Sequence, residues 1–346
     1  MGIFRQAMTP AVVFFVISIA LGACTPRQPN EDRQRAALIA VGKKVFTDKT
    51  LSRDGTISCA SCHQSDRFFT DSKPVSIGLN AQSGTRNAPS LLDVKLMSSL
   101  FWDGRAKHLQ DVVIQPLTNP VEMGSSTDDV LRRVGRSPDY TTLSRAAFGD
   151  DTLSMAEIGT ALAAYLRSLP LRLTRYDLYA KSGKRSDLSE NEKQGLSLFR
   201  GKATCAECHR LEGTPAALTD NQFHHTGVGF ERVAGNIGAM IRKLDQVQRQ
   251  KLPMGTVILT DHEIAEVGRF AVTRRPADLG AFRTPSLRNV VSTAPYMHDG
   301  SIPTLQAAVE REIYYRSLAR GQAINLTVEE QGQLIAFLET LSTPAH

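Results

Sequence analysis

A five-residue pattern that occurs twice constrains this chain more than any other feature. CASCH (59–63) and CAECH (205–209) both have the form Cys-x-x-Cys-His. The spacing is typical of covalent c-type haem attachment, because two thiols one helical turn apart can each form a thioether with one porphyrin while the next residue, a histidine, binds the iron. It therefore predicts two haem c groups, with attachment and iron-binding residues Cys59, Cys62 and His63 for the first and Cys205, Cys208 and His209 for the second.

Cys-x-x-Cys pairs also occur in thioredoxin-like redox sites and in zinc sites. A zinc site built from both pairs would require the two pairs to meet in space, and it would leave the histidine after each pair without a role. The haem interpretation accounts for all six residues. It also uses four of the five cysteines, so no pair is left to form a disulfide.

The fifth cysteine, Cys24, follows a segment with the pattern of a secretory signal peptide. Residues 1–23 contain an early positive charge at Arg5 and an apolar run from Ala11 to Leu21, and LGAC (21–24) resembles a lipobox. We therefore expect export, cleavage before Cys24 and lipidation of that cysteine. The alternatives are an uncleaved anchor helix, for which the apolar run is short, and a free Cys24 beside an ordinary cleavage site.

The expected location is the periplasm, with membrane contact only through the lipid. Residues 24–35 are polar and read as a tether, and Thr25 after the cysteine is not an inner-membrane retention signal, which favours the outer membrane. The formal net charge of +6 is modest, four haem propionates would offset most of it, and the basic residues are scattered. No nucleic-acid partner is therefore expected.

Each half of the chain has a helical pattern before its motif and an apolar-faced helix at its end. Gly42, Val45 and Phe46 precede Cys59 much as Gly195, Leu198 and Phe199 precede Cys205, and the closing helices are predicted at 158–169 and 331–341. The sequence SENE (189–192) predicts a capping box. We expect a mostly α fold with two cytochrome c-like domains, at 36–183 and 184–346, joined within the polar segment 179–188.

Six further segments are specific: RNAPS (86–90), FWDGRA (101–106), NPVEM (119–123), GRFAVT (268–273), RTPSLRN (283–289) and TAPYMH (293–298). In these segments and the two haem motifs the chain resembles, over roughly residues 36–342, the bacterial di-haem cytochrome c peroxidases and their relative MauG. The resemblance implies a peroxidatic haem domain at 36–183, whose haem is open to hydrogen peroxide, and an electron-transfer haem domain at 184–346, whose haem is closed by two protein ligands.

In the first haem domain the resemblance assigns two catalytic residues. Glu122 matches the distal carboxylate that moves protons on peroxide, and Trp102 matches the aromatic residue between the haems. Many members have a histidine that caps this haem at the position of Leu79, and a glutamine beside the glutamate at the position of Val112. Leucine cannot bind iron, so we expect a first haem that is permanently open.

Three residues are candidates for the second axial ligand of the second haem. The family places a methionine or a tyrosine here, and counting without gaps from Thr304 reaches Glu312. Helical geometry favours Glu312 or Tyr315, whereas the Tyr-x-Arg pattern favours Tyr314, which we expect to be the ligand. An oxygen ligand would lower the potential of this haem and would favour the MauG type.

The resemblance also implies a calcium ion between the haems. Its ligands would be the side chain of Asn87 and the backbone carbonyls of Thr293 and Pro295, and such oxygen ligation suits calcium. The adjacent His224 and His225 are expected to line the second haem pocket or to bind a propionate.

Three functions follow from these observations. The first is reduction of hydrogen peroxide at haem 1, the haem of the first motif, with electrons relayed through haem 2 from a small periplasmic cytochrome c or copper protein. The second is a MauG-like enzyme that uses a high-valent di-haem state to oxidise a partner protein or another substrate. The third, a non-enzymatic di-haem electron carrier, needs neither Glu122 nor an uncapped iron. We therefore expect a peroxide-dependent oxidoreductase.

Overall fold

The computed structural model of the protein describes residue 2 and residues 29–184 and 187–343. The expected signal peptide and Cys24 lie outside this part, apart from residue 2. The described chain is mostly helical, as predicted, and none of its helices is long and apolar enough to cross a membrane. The helices are α1 (Pro29–Thr47), α2 (Cys59–Cys62), α3 (Leu109–Val112), α4 (Gln115–Thr118), α5 (Thr127–Gly135), α6 (Pro138–Phe148), α7 (Met155–Ser168), α8 (Arg175–Ser182), α9 (Glu190–Arg200), α10 (Ile237–Arg249), α11 (Met254–Thr260), α12 (His262–Glu266), α13 (Phe270–Thr273), α14 (Leu305–Arg320) and α15 (Val328–Glu339).

The first core forms where α1 crosses α7, beside the first motif. A Cβ on Gly42 would lie 2.0 Å from the carbonyl oxygen of Ala161, so only glycine lets the two backbones approach this closely. One turn later, Phe46 is buried against Tyr165, with ring centroids 5.2 Å apart. These contacts fix the segment that leads into Cys59.

The second core repeats this arrangement with α9 and α15. A Cβ on Gly195 would lie 1.9 Å from the carbonyl oxygen of Gln333, and Phe199 packs against Phe337 at 5.1 Å between ring centroids. Helix α9 begins with the predicted capping box, in which the backbone N–H of Ser189 donates to Glu192 at 2.7 Å. The Gly-x-x-x-Phe spacing before each motif therefore marks a helix crossing in both halves.

Two predicted boundaries differ from the structure. Helix α1 begins at Pro29, before the end of the expected tether, and Gln34 donates a hydrogen bond of 2.9 Å to the carbonyl oxygen of Ala147. The polar segment 179–188 does not separate the cores, because Tyr176 of α8 already packs in the second core against Phe337. Leu169 is the last residue of the first hydrophobic core along the chain, and Tyr176 is the first residue of the second core.

A third hydrophobic cluster, which the sequence analysis did not predict, lies between the second motif and the closing helix. It contains the buried faces of α10 to α13. The antiparallel pair of strands β1 (Phe223–His225) and β2 (Ala281–Arg283) meets it before α13, where the backbone N–H of Arg269 donates to the carbonyl oxygen of Ala281 at 2.7 Å. This cluster contacts the first half of the chain, since the hydroxyl of Thr85 donates to the carbonyl oxygen of Ile258 at 2.5 Å. Residues of the second half therefore help to enclose the first motif.

Candidate active site

Each Cys-x-x-Cys-His motif lies in the wall of its own cavity. The first cavity contains Cys59, Cys62 and His63 and has an empty volume of about 1550 Å³, including the part open to solvent. The second contains Cys205, Cys208 and His209 and has about 1670 Å³. The surface of both cavities is mainly apolar, which suits a large planar group such as a porphyrin.

The two motif histidines are held in the same way. Nδ1 of His63 lies 2.9 Å from the carbonyl oxygen of Phe69, and Nδ1 of His209 lies 3.0 Å from that of Leu218. A carbonyl oxygen can only accept, so Nδ1 carries the proton and Nε2 keeps its lone pair. This backbone hydrogen bond is the usual support of a metal-binding histidine, and it leaves Nε2 as the atom that can bind iron.

The two cysteine pairs do not meet in a shared zinc site. All four motif cysteines are free thiols, and among the described residues no cluster of metal-binding side chains combines the two pairs. Burial raises the pKa of Cys59 to about 12 and that of Cys62 to about 11, so these sulfurs are not thiolates. Neutral thiols in an apolar cavity suit thioether formation with a porphyrin better than zinc binding.

Buried arginines give an independent test of whether the cavities fit haem. Arg86 lines the first cavity, its Nε and Nη1 are buried without a hydrogen-bond partner, and burial lowers its pKa to about 10. Nε of Arg105 is also buried without a hydrogen-bond partner, although its Nη1 is paired with Asp103 at 2.8 Å, and Arg283 lines both cavities. Buried guanidinium nitrogens without an acceptor are costly unless one is supplied. Haem propionates would supply that acceptor.

The role of these arginines was not predicted from the sequence. They lie within the segments RNAPS, FWDGRA and RTPSLRN, which do not by themselves indicate what the arginines bind. That some of their nitrogens are buried without a hydrogen-bond partner follows only from the folded structure.

Glu122 lines the first cavity, on the loop after α4. Burial raises the pKa of this carboxyl to about 7, and the positive charge of Arg105 opposes the rise. A carboxyl with such a pKa is populated in both protonation states near neutral pH, which suits a group that takes up and returns a proton. His63 is the only histidine among the described residues that line this cavity, so no second imidazole is available to cap the iron.

The Leu79 segment takes a position that its sequence did not reveal. Leu79 is 1% exposed and does not line the cavity, because its side chain packs against Gly124. Its backbone N–H lies 3.2 Å from the carbonyl oxygen of Val121 and 3.3 Å from that of Glu122. Leu79 therefore supports the loop that carries Glu122. Val112, where a glutamine was expected from the family, does line the cavity.

Trp102 lies in the wall that the two cavities share. Its side chain lines both of them, and its indole Nε1 donates a hydrogen bond of 2.9 Å to the carbonyl oxygen of Asn87. The backbone N–H of Arg283 in turn donates to the carbonyl oxygen of Trp102 at 2.8 Å. This places an aromatic side chain held by both halves of the chain between the two haem sites.

The structure places Tyr314, the expected ligand of the second haem, outside the second cavity. Tyr314 is 57% exposed and does not line the second cavity, because it projects from the outer face of α14. Tyr315 is also outside the cavity and packs over Gly227, with its hydroxyl 3.4 Å from Glu231. Of the three candidates only Glu312 lines the cavity.

The three residues expected to bind calcium all line the second cavity. The side-chain amide nitrogen of Asn87 donates to the carbonyl oxygen of Lys73 at 2.9 Å, which leaves its Oδ1 as the atom able to bind a cation. The two adjacent histidines separate: Nε2 of His224, in the cavity wall, lies 2.7 Å from Asp220, whereas His225 is exposed.

Comparison with known proteins agrees with this geometry. Residues 36–185 match the family model of the di-haem cytochrome c peroxidases. The chain is 31% identical to a methylamine utilization protein MauG of Methylophilus methylotrophus, over 87% of this chain and 81% of the relative. It is also 31% identical to a cytochrome c551 peroxidase of Nitrosomonas europaea, over 95% and 87%. The chain belongs to the di-haem cytochrome c peroxidase family.

Solved structures of this family share the fold. A MauG-like protein associated with microbial copper homeostasis superposes with a TM-score of 0.70 at 30% identity, covering 95% of this chain and 96% of the other. The di-haem peroxidase BthA of Burkholderia thailandensis gives 0.68 at 27%, covering 88% and 86%. Membership implies two haem c groups and an oxidoreductase of the peroxidase type, which confirms the predicted fold class and enzyme class.

Proposed function

We propose that the protein reduces hydrogen peroxide at haem 1, using electrons that enter from a small periplasmic cytochrome c or copper protein and pass through haem 2. The observation that carries this proposal is Glu122, whose carboxyl faces the cavity of the first motif, where His63 is the only histidine among the described wall residues. An electron carrier would need neither a buried acid–base group nor an accessible iron.

The side chains around haem 1 have separate tasks in this reaction. When bound, haem would supply the iron chemistry and the electron exchange that peroxide reduction requires. Glu122 accepts the proton of the near peroxide oxygen and returns it to the departing oxygen, so that two electrons and two protons convert one peroxide into two waters. Nδ1 of His63 donates to the carbonyl oxygen of Phe69 and orients the imidazole, while Arg86 and Arg105 would hold the propionates.

Steady-state turnover of the purified holoprotein tests this function. Peroxide is supplied together with a reduced small cytochrome c or a reduced copper protein. We expect oxidation of two one-electron donors for each peroxide consumed, without a preceding reductive activation step. Turnover that begins only after one haem has been reduced would show that another residue caps haem 1.

The pH dependence of the peroxide reaction is expected to report the titration of Glu122. Burial raises the pKa of this group to about 7, and only the ionised carboxylate can accept a proton from peroxide. The second-order rate constant should therefore rise with pH and level off above about 7. Stopped-flow absorbance with the wild type and with Glu122→Gln measures this, and the variant should have lost the transition.

Trp102 is expected to carry electrons between the haems, since its ring lines both cavities. The variant Trp102→Phe keeps an aromatic ring of smaller size, so it should slow the transfer of electrons from haem 2 to haem 1 while peroxide still reacts at haem 1. Rapid-mixing spectroscopy separates the two steps. Equal slowing of both steps would assign Trp102 a packing role instead.

A MauG-like oxidation of a partner protein is the second candidate. The residue that lines the second cavity from α14 is Glu312, not a methionine, and Val112 stands in the first cavity where a glutamine is expected. The absence of a methionine at Glu312 favours a low reduction potential at haem 2. The absence of a glutamine at Val112 favours slow peroxidase turnover with ordinary donors. In this case peroxide should oxidise both haems without donor, and candidate substrate proteins should acquire a covalent modification detectable by mass spectrometry.

The proposal also includes a calcium ion and a periplasmic, lipid-anchored location. A calcium ion would be bound by Oδ1 of Asn87 and by the carbonyls of Thr293 and Pro295, which line one cavity. The protein would reside in the periplasm, attached through lipidated Cys24, with the outer membrane as the favoured site. Both expectations agree with the haem attachment motifs, and neither is needed for the chemistry at Glu122.

A further inference from the structure

We propose that the carboxylate of Glu312 is the second axial ligand of the iron in haem 2. Helix α14 lines the second cavity with Leu305, Ala308, Val309, Glu312, Ile313 and Arg316, the residues that share one face of the helix. Glu312 is the only one of these with an oxygen side chain able to bind a metal, and His209 lines the same cavity.

The environment of Glu312 leaves the carboxylate without a partner in the protein. Within the part of the chain that the structure describes, its oxygens accept no hydrogen bond, and the charges of Arg316, His224 and Arg311 act on it only at longer range. Arg316, one turn further along the helix, directs Nη2 to the sulfur of Cys208 at 2.8 Å, and Arg311 directs Nη2 to Glu231 at 3.2 Å. An ionised carboxylate in such a cavity requires a cation, and the haem iron can supply it.

Other side chains near the cavity are engaged elsewhere. Nε2 of His224 lies 2.7 Å from Asp220, and His298 stacks on Phe282 with Nε2 2.8 Å from Glu266. The sulfur of Met97 lies 2.8 Å from Nη1 of Arg283. Tyr296 and Asp93 also line the cavity, but the hydroxyl of Tyr296 donates to the carbonyl oxygen of Val290 at 3.0 Å and Asp93 lies 3.7 Å from Nε of Arg288. Met297, in the turn before α14, has a sulfur that can bind iron, and it serves as the rival in the test.

A carboxylate ligand would give haem 2 a particular character. Hard anionic oxygen ligands stabilise the oxidised metal, whereas a methionine thioether raises the reduction potential of a haem. Haem 2 would therefore be closed to added ligands and would have a lower potential than a methionine-ligated haem in the same cavity. This property concerns the ligand alone and holds whichever substrate the enzyme uses.

The test counts haems that bind azide or imidazole in the ferric holoprotein, without peroxide or donor. Glu312→Ala should bind ligand at one haem more than the wild type. Tyr314→Phe, the exposed neighbour, and Met297→Leu, the rival, should bind at the same number as the wild type. An unchanged count in Glu312→Ala, or an additional open haem in Met297→Leu, would overturn the proposal.

A second variant keeps the test decisive if Glu312→Ala does not retain its haems. Glu312→Met supplies a replacement ligand, so one haem should stay closed and its midpoint potential should shift upward while the other stays unchanged. Unchanged potentials of both haems would overturn the proposal. Because the difference between variants is measured, the result does not depend on whether haem 1 is open, and a failure here is separate from a failure of the proposed peroxidase activity.

Discussion

Replacing Glu122 by glutamine is expected to lower the second-order rate constant for hydrogen peroxide by about 10²–10⁴-fold, the usual contribution of a positioned general acid–base group. Glutamine has nearly the same size as glutamate and fills the same part of the first cavity. It cannot accept the proton of the near peroxide oxygen. Stopped-flow mixing of ferric holoprotein with peroxide measures the constant directly.

A matched control separates chemistry from folding. Glu339 lies on the exposed end of α15, far along the chain from the first motif, so Glu339→Gln should react like the wild type. The visible spectrum and the haem content of Glu122→Gln should also be unchanged. A rate constant within a factor of a few of the wild type would remove Glu122 from the catalytic machinery and, with it, the main support for the peroxidase proposal.

Replacing Arg288 by methionine is expected to lower the free energy of unfolding by about 3–5 kcal/mol, since it would leave buried carboxylates without their cation. The side chain of Arg288 is 1% exposed, and its Nη1 lies 2.9 Å from Asp177, which is fully buried. Nε lies 3.7 Å from Asp93 in the first half of the chain. Arg288 also donates to the carbonyl oxygens of Ala216 and Arg172.

Denaturant unfolding of the holoprotein, followed by circular dichroism, measures the change. Arg136 on the surface provides the control, and Arg136→Met should change the stability by no more than about 0.5 kcal/mol. The double variant Arg288→Met with Asp177→Asn should be less destabilised than the sum of the two single variants, because the neutral amide needs no cation. Strict additivity would show that the pair does not interact.

The features that could be predicted from the sequence depend on residues close together in the chain. The Cys-x-x-Cys-His motifs are complete within one helical turn, and the structure holds both histidines through Nδ1 as a haem ligand requires. The glycine and phenylalanine before each motif mark helix crossings at Gly42 and Gly195. Because these patterns are local, the residue spacing is sufficient to predict the haem attachment and the helix crossings.

The features that were missed depend on packing between distant segments. Tyr314 and Glu312 are two residues apart on one helix, so their side chains point in different directions, and the docking of α14 decides which one reaches the cavity. The observed boundary between the two cores lies before the predicted one because Tyr176 packs against Phe337. No pattern near residue 176 indicates this contact.

The sequence by itself determined the two haem attachments, the iron-binding histidines, the helical fold class and the family, because each is written in residues that act locally or together as a motif. Only the tertiary structure decided that Glu312 lines the second cavity, that Arg86 and Arg105 carry unpaired buried nitrogens, and that α11 covers the first cavity through Leu259. These features depend on how each helix is oriented and on whether a buried charged group has a partner. Both are settled only when segments far apart in the chain pack together.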